Sequence, residues 1–247
     1  MKKYKILKII IDNLKTLIGA LIIAIIIRSF LIQPFYIPSS SMEPTLLVGD
    51  RIFVSKFTYG FSKHSLPFSP NISNNRFFYK SPKQGDLVVF KTPADNRTDY
   101  IKRLIGLPGD EIQFVNGKLI INDKIVKRRE VESLETIRCG KYFLETKTFI
   151  ETLPNGIEHL AVYNLNGTLQ NTQKYKVPNG HFFLMGDNRD CSKDSRFLEE
   201  VGYVKKINLV GKAKIIFFSN NTKIGSVLKF WNWHNSFRIE RTFEKLS

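Results

Sequence analysis

From Thr16 to Ile27 the chain runs twelve residues without a charge, preceded by Lys2, Lys3, Lys5, Lys8 and Lys15, and this stretch limits what everything after it can be. As a helix it covers only about 18 Å, but if Arg28 snorkels outward and the run continues to Ile32 it reaches roughly 26 Å, enough to span a bilayer. A cleaved signal peptide or a buried core helix would share this composition. No small-x-small site follows, however, because Gln33-Pro34-Phe35 comes next, so cleavage is not expected. Residues 1–33 therefore read as a cytoplasmic N-terminus and a single uncleaved anchor. The lysines precede the span, which leaves the N-terminus in the cytoplasm and residues 34–247 outside.

The chain has 247 residues and a net charge of +16, from 38 basic and 22 acidic side chains. A balance this basic suggests a polyanion or an anionic membrane surface as partner. Paired Cys/His zinc spacing and the aromatic RNA-binding strand motif are both absent from the sequence, so the lipid bilayer is expected as partner and nucleic acid is not. No cofactor or metal is expected. The two cysteines, Cys139 and Cys191, make no disulfide framework, and the sequence leaves open whether they pair.

Beyond the anchor the pattern changes to short apolar runs rich in β-branched and aromatic residues. Gly49–Lys56, Gly85–Lys91, Tyr100–Ile105, Phe182–Met185 and Val210–Phe218 read as core strands. Asn116-Gly117 between two apolar runs is a hairpin signal, and Asn155-Gly156, Asn166-Gly167 and Asn179-Gly180 continue it. The expected organisation is a core of about 34–110 and 180–222, an inserted hairpin region of about 111–179, and a tail over 223–247. Two aromatic groups read as interfacial segments. They are Phe57, Tyr59, Phe61, Phe68 and Phe77-Phe78-Tyr79, and the tail residues Phe230-Trp231-Asn232-Trp233 with Arg238 and Arg241.

Three polar stretches carry the chemistry. In Ile37-Pro38-Ser39-Ser40-Ser41-Met42-Glu43-Pro44-Thr45-Leu46 the prolines bias the residues before them toward extended backbone, so Ser41 is expected in an exposed bend. A Pro/Ser run beside an anchor is, taken alone, a spacer. In the strand from Tyr100, alternation puts Lys102 on one face with Tyr100 and Leu104, and Arg103 on the other. Such a lysine either guards a sheet edge or, desolvated, serves as a neutral general base, a task for which arginine stays too strongly protonated. Gly186-Asp187-Asn188-Arg189-Asp190-Cys191-Ser192-Lys193-Asp194-Ser195-Arg196 crowds mixed charges into one turn. Arg189 and Lys193 among the oxygen donors, and the absence of EF-hand spacing, argue against calcium; a buttressing polar network fits better.

Together these stretches resemble the type I signal (leader) peptidases, membrane-anchored serine proteases. Pro38–Leu46, the Gly49-Asp50 strand, Gly85-Asp86, Tyr100–Asp110 and Gly186–Arg196 occur in the family's order. The resemblance implies a mainly β fold of coiled β-sheets with an inserted β-ribbon domain and one N-terminal transmembrane helix, placed in the bacterial cytoplasmic membrane. It implies Ser41 as nucleophile and Lys102 as base, with the Ser39 hydroxyl and the Ser41 amide as oxyanion hole. Ser192 would hydrogen-bond the lysine, and Asp187, Arg189, Asp194 and Arg196 would support the site.

Substrates would be preproteins carrying signal peptides, cut after an Ala-x-Ala pattern. The peptide would lie as an added strand between Ile37-Pro38-Ser39 and Asp99-Tyr100-Ile101, against a wall that Ile37, Met42, Leu46, Tyr100 and Ile101 crowd in the family. Two features depart from the pattern: Cys191 stands where many members have Asn, and the anchor is single. A processing protease with narrower substrates, or an inactive tethered binding domain, remain as alternatives; serine and lysine together argue against the latter. His64, His159, His181 and His234 lie in no recognisable catalytic context.

Overall fold

The computed structural model describes residues 2–71, 73–140, 142–164, 167, 170–221 and 236–246. Helix α1 (Lys2–Phe30) is longer than the uncharged run, because the lysines before it are also helical. Its Tyr4–Phe30 stretch is long and apolar enough to cross a membrane, and none of its most apolar window is buried in the protein. The helix stops at Phe30 rather than continuing to Ile32, since Ile32 already belongs to strand β1 (Ile32–Tyr36). Pro34 explains the break: it cannot sit inside a helix and is tolerated in β1, which is an edge strand. The helix end touches the domain through Phe30, edge-to-face on Phe61 at 5.4 Å.

Six more strands join β1 in one sheet: β2 (Asp50–Ser55), β3 (Leu87–Lys91), β4 (Asp99–Gly106), β12 (His181–Met185), β13 (Val204–Lys205) and β14 (Leu209–Ser219). Their order is β1-β2-β14-β3-β4-β12-β13. Register shifts within the β14–β2, β14–β3 and β12–β4 pairs add local twist, and the sheet curls. The concave packing buries Ile37, Met42 and Leu46 with Ile52, Val54, Val89 and Ile216.

Between β4 and β12 the chain builds two smaller sheets. Strands β5 (Glu111–Val115), β6 (Lys118–Ile121), β7 (Lys124–Ile125) and β11 (Tyr175–Lys176) form one; β8 (Lys127–Cys139), β9 (Tyr142–Thr152) and β10 (Glu158–Asn164) form the other. The Asn116-Gly117 signal is a hairpin turn joining β5 to β6, with both residues at positive φ (50° and 68°), as a primed two-residue turn requires. Asn155-Gly156 turns between β9 and β10, while Asn166 lies outside the described residues.

The two cysteines, left open by the sequence, are bonded: a Cys139–Cys191 disulfide fastens the end of β8 to the turn after β12. The aromatic surface is split. Phe57, Phe68, Phe77, Phe78 and Tyr79 are exposed, whereas Tyr59 is buried and donates to Asp86 Oδ2 at 2.9 Å. Arg238 and Arg241 do not serve as interfacial cations. Arg241 is paired with the buried Asp50 carboxylate at 2.7 Å and Arg238 lies 3.8 Å from it, so both fasten the tail to the core. Phe230, Trp231, Trp233 and His234 lie outside the described residues.

Candidate active site

The segment before Ser41 is pinned as an extra rung of the sheet: the Ile37 amide donates to Asp50 O at 2.9 Å, and the Gly49 amide to Ile37 O at 3.0 Å. Ser39 is extended (φ −132°, ψ 157°), one 3₁₀ turn spans Ser40–Met42, and Glu43 is extended again. Met42 anchors the turn in the core with 1% of its surface exposed. Ser41 is therefore not in an exposed bend as the prolines suggested; it is buried at 8% exposure, because the flanking apolar residues pull the turn down into the sheet. Asn188 holds the turn from the other side, its amide on Ser41 O and its Nδ2 on Ser40 O, both at 3.2 Å.

Lys102 reaches this turn from β4. Its Nζ lies 2.7 Å from Ser41 Oγ, 3.0 Å from Ile101 O and 5.3 Å from the centre of the Tyr100 ring. Burial disfavours the ammonium and lowers its pKa from 10.5 to about 8, although the Asp194 and Asp187 carboxylates pull the other way. The Ser39 hydroxyl is 3.4 Å from Ser41 Oγ. Ser192 is buried beside Asp194 without a hydrogen bond of standard geometry, and none joins it to Lys102. Gly186 permits its close approach, since a Cβ there would collide with Ser192 Oγ and Ser41 O.

The charges of the Gly186–Arg196 turn pair in separate directions. Asp194 accepts from Arg196 Nε and Nη2, each at 2.8 Å, and from the Gly186 amide at 3.0 Å. Asp187 takes Arg103 in a two-pronged pair at 2.8 Å and the Thr45 hydroxyl at 2.6 Å. Burial works against the charge on both carboxylates, but their arginines outweigh it and hold both below the usual carboxylate range. Arg189 reaches into the ribbon and pairs with Glu151 of β9 at 2.6 Å.

Some residues of this network lie outside every motif of the sequence. Thr45 belongs to the serine stretch and Arg103 adjoins the lysine, but Glu151 and Tyr163 come from strands more than twenty residues from any recognised stretch. His159, which stands in no recognisable catalytic context in the sequence, is buried between Glu151, Arg189 and Asp187. Burial lowers its pKa to about 4, so it is neutral near pH 7. Its presence is structural to the network and it makes no contact with Ser41 among the hydrogen bonds of the site.

Above the serine–lysine pair opens a cleft of about 420 Å³. Ile37, Pro38, Met42, Asp99, Tyr100 and Ile101 line it. Leu46 does not: it is fully buried in the core beneath, since the turn directs it inward with Ile52 and Val54. Phe35, Tyr36, Ile52, Val89, Thr98, Cys191 and Lys193 complete the lining. No cluster of metal-ligating side chains occurs among the described residues.

A model of the family "Signal peptidase, peptidase S26" matches residues 10–218. A signal peptidase I of Rickettsia typhi is 40% identical over 242 residues, covering 91% of this chain and 89% of its own length. One of Rickettsia bellii is 37% identical over 250 residues, covering 94% and 84%. A solved signal peptidase I of Enterococcus faecalis is 26% identical, covers 54% of this chain and 97% of its own, and superposes with a TM-score of 0.32. With a family match over most of the chain and relatives this similar, the chain belongs to the signal peptidase family, peptidase S26, and is a membrane-anchored serine endopeptidase that cleaves signal peptides.

Proposed function

We propose that Ser41 and Lys102 carry the reaction as nucleophile and base, and the observation that supports this best is the 2.7 Å contact between Ser41 Oγ and Lys102 Nζ in a buried site. With a pKa of about 8, roughly a tenth of the enzyme holds a neutral amine at pH 7. That amine takes the hydroxyl proton as Oγ bonds to the scissile carbonyl carbon, whose π electrons move onto oxygen. The Ser39 hydroxyl and the Ser41 amide stabilise this oxyanion. As the intermediate collapses, the C–N bond breaks and the lysine ammonium protonates the leaving amine. A water then adds to the acyl–serine, giving its proton to Lys102, and the ester bond breaks as the lysine ammonium returns that proton to Ser41 Oγ, releasing the acid and restoring the neutral amine. Asp187, Arg189, Asp194, Arg196 and Ser192 hold the frame, acting through the turns rather than on the substrate.

The preprotein lies extended in the cleft between 37–39 and 99–101. Ile37, Met42, Tyr100 and Ile101 line the cleft, and as a wall facing the residues one and three before the cut they would admit small side chains there, the Ala-x-Ala pattern. Residues of about 111–179 form an inserted unit that props the turn bearing Arg189. The N-terminus lies in the cytoplasm of a bacterial cytoplasmic membrane and the catalytic part on its outer face. The lysine-rich start of α1 supports this orientation, as does a disulfide, which persists in oxidising compartments. The test is cleavage of a preprotein by full-length Ser41→Ala, Lys102→Met and Lys102→Arg, each checked for native circular dichroism. All three should be inactive, and substantial cutting by any one would overturn the dyad.

A further inference from the structure

On the membrane-proximal side of the domain, a second cavity of about 460 Å³ opens where α1 meets the sheet. Its lining combines Arg28 from the last turn of α1, Lys56 just after β2, Lys91 from the end of β3, and Arg97, with Asp99 as the one carboxylate. Asp99 is already engaged by Lys91 at 2.8 Å. Lys56 is 2% exposed and donates to Ser65 O at 2.6 Å, a neutral carbonyl rather than a counter-ion. Burial and the nearby Arg28 lower its pKa to about 8. A cation held in place against these costs marks a pocket with an uncompensated positive field.

Two further observations point to an occupant. His64 lines the cavity at 4% exposure, and its Nε2 has no hydrogen-bond partner, although Nδ1 lies 3.0 Å from Ser69 Oγ. At the rim, Phe68 is fully exposed and held at φ 63°, a conformation uncommon for a bulky residue, which turns its ring away from the protein. The exposed Phe57, Phe77 and Phe78 belong to the neighbouring loops. A lipid-phase rim around a cationic hollow, beside the point where an apolar helix leaves the domain, has the chemistry of an interfacial site.

We propose that this cavity binds the phosphate headgroup of a net-anionic phospholipid, with Arg28, Lys56 and Arg97 as its cations and His64 Nε2–H as a donor, and with Phe68 among the acyl chains. The site shares Phe35 and Asp99 with the substrate cleft, so a bound lipid borders the groove. It does not depend on which residues are catalytic.

The test is equilibrium binding of a short-chain phosphatidylglycerol, below its micelle concentration, to the full-length protein in a neutral detergent. Parallel arms use the matching phosphatidylcholine and inorganic phosphate. Phosphatidylglycerol should saturate one site, with phosphatidylcholine and phosphate each at least tenfold weaker. Arg97→Gln and Lys56→Gln should each weaken it about tenfold. Because Lys56 is buried and its loss could disturb the fold, the exposed Arg97 decides the case, and Lys124→Gln supplies the same charge change far along the chain in β7. Equal loss with Lys124→Gln would mean diffuse attraction to a chain of net charge +16 and would overturn the site. Equal affinity for inorganic phosphate, equal affinity for phosphatidylcholine, or an unchanged Arg97→Gln would each overturn it too.

Discussion

Arg189 of the site turn and Glu151 of β9 form a buried two-pronged pair, with Nη1 and Nη2 at 3.0 and 2.6 Å from the two carboxylate oxygens. Both side chains are 1% exposed, so the ribbon and the turn share one desolvated charge pair. Burial works to raise the Glu151 pKa, but Arg189 and His159 outweigh it and the carboxyl is held low. Removing the glutamate leaves Arg189 buried and unpaired.

Glu151→Ala should therefore lower stability by about 3–5 kcal/mol, read from denaturant unfolding, and should reduce cleavage as the turn loses its prop. Since the folded pKa is depressed, the stability that Glu151 adds is present above its unfolded value and is lost as pH falls through the folded one. A variant as stable and active as the wild type would show that the ribbon does not support the site.

The Cys139–Cys191 disulfide closes a loop of sequence separation 52, for which chain entropy gives up to about 4 kcal/mol. The Cys139→Ser, Cys191→Ser double variant should melt earlier by several degrees. It should also lose activity, because Cys191 lines the cleft and lies 3.4 Å from Ser40 Oγ. Unchanged melting and cleavage would mean that the bridge is incidental.

With Lys102 as the proposed base, the amine must be neutral to accept a proton, and kcat/KM should fall about tenfold per pH unit below about 8 and level off above it. Asp194 favours the ammonium, and Asp194→Asn also leaves Arg196 without its partner; both changes disfavour charge on Lys102. The acid limb should move to lower pH in this variant. A limb that stays put, or one that moves on replacing His159, would contradict the lysine as base.

At Gly186 a methyl group would meet Ser192 Oγ and Ser41 O, so Gly186→Ala must displace the turn that carries the serine. A shift of about 1 Å can lower a rate roughly a hundredfold, and the loss should fall on kcat more than on KM. Steady-state kinetics with one preprotein decides it: an unaltered kcat would show that the turn has slack.

The cleft predicts a substrate rule that is independent of the catalytic assignment. Replacing Ala by Phe one or three residues before the cut should reduce kcat/KM by a hundredfold or more, while Phe between them should be tolerated. Efficient cleavage after either outer Phe would rule out the narrow groove.

Elements whose cause is local were legible in the sequence. The anchor follows from an unbroken apolar run, the β5–β6 hairpin from Asn116-Gly117, and the core strands from short β-branched runs between Gly and Asp. The proposed pair, Ser41 and Lys102, stands in two stretches that resemble those of the signal peptidase family. What local pattern could not fix was everything that depends on which distant strands meet. The apolar run reads on to Ile32, but sheet pairing made Ile32–Tyr36 an edge strand. The prolines around Ser41 predicted a bend and its shape, while its burial came from Met42 and Leu46 packing against strands that lie far along the chain. Glu151 and His159 look like ordinary strand residues, and Arg238 and Arg241 like surface cations, until the fold brings them to Arg189 and Asp50. The cysteine pairing is of the same kind. A disulfide or a buried ion pair is decided by through-space distance and desolvation, and neither is encoded in the spacing of residues along one stretch.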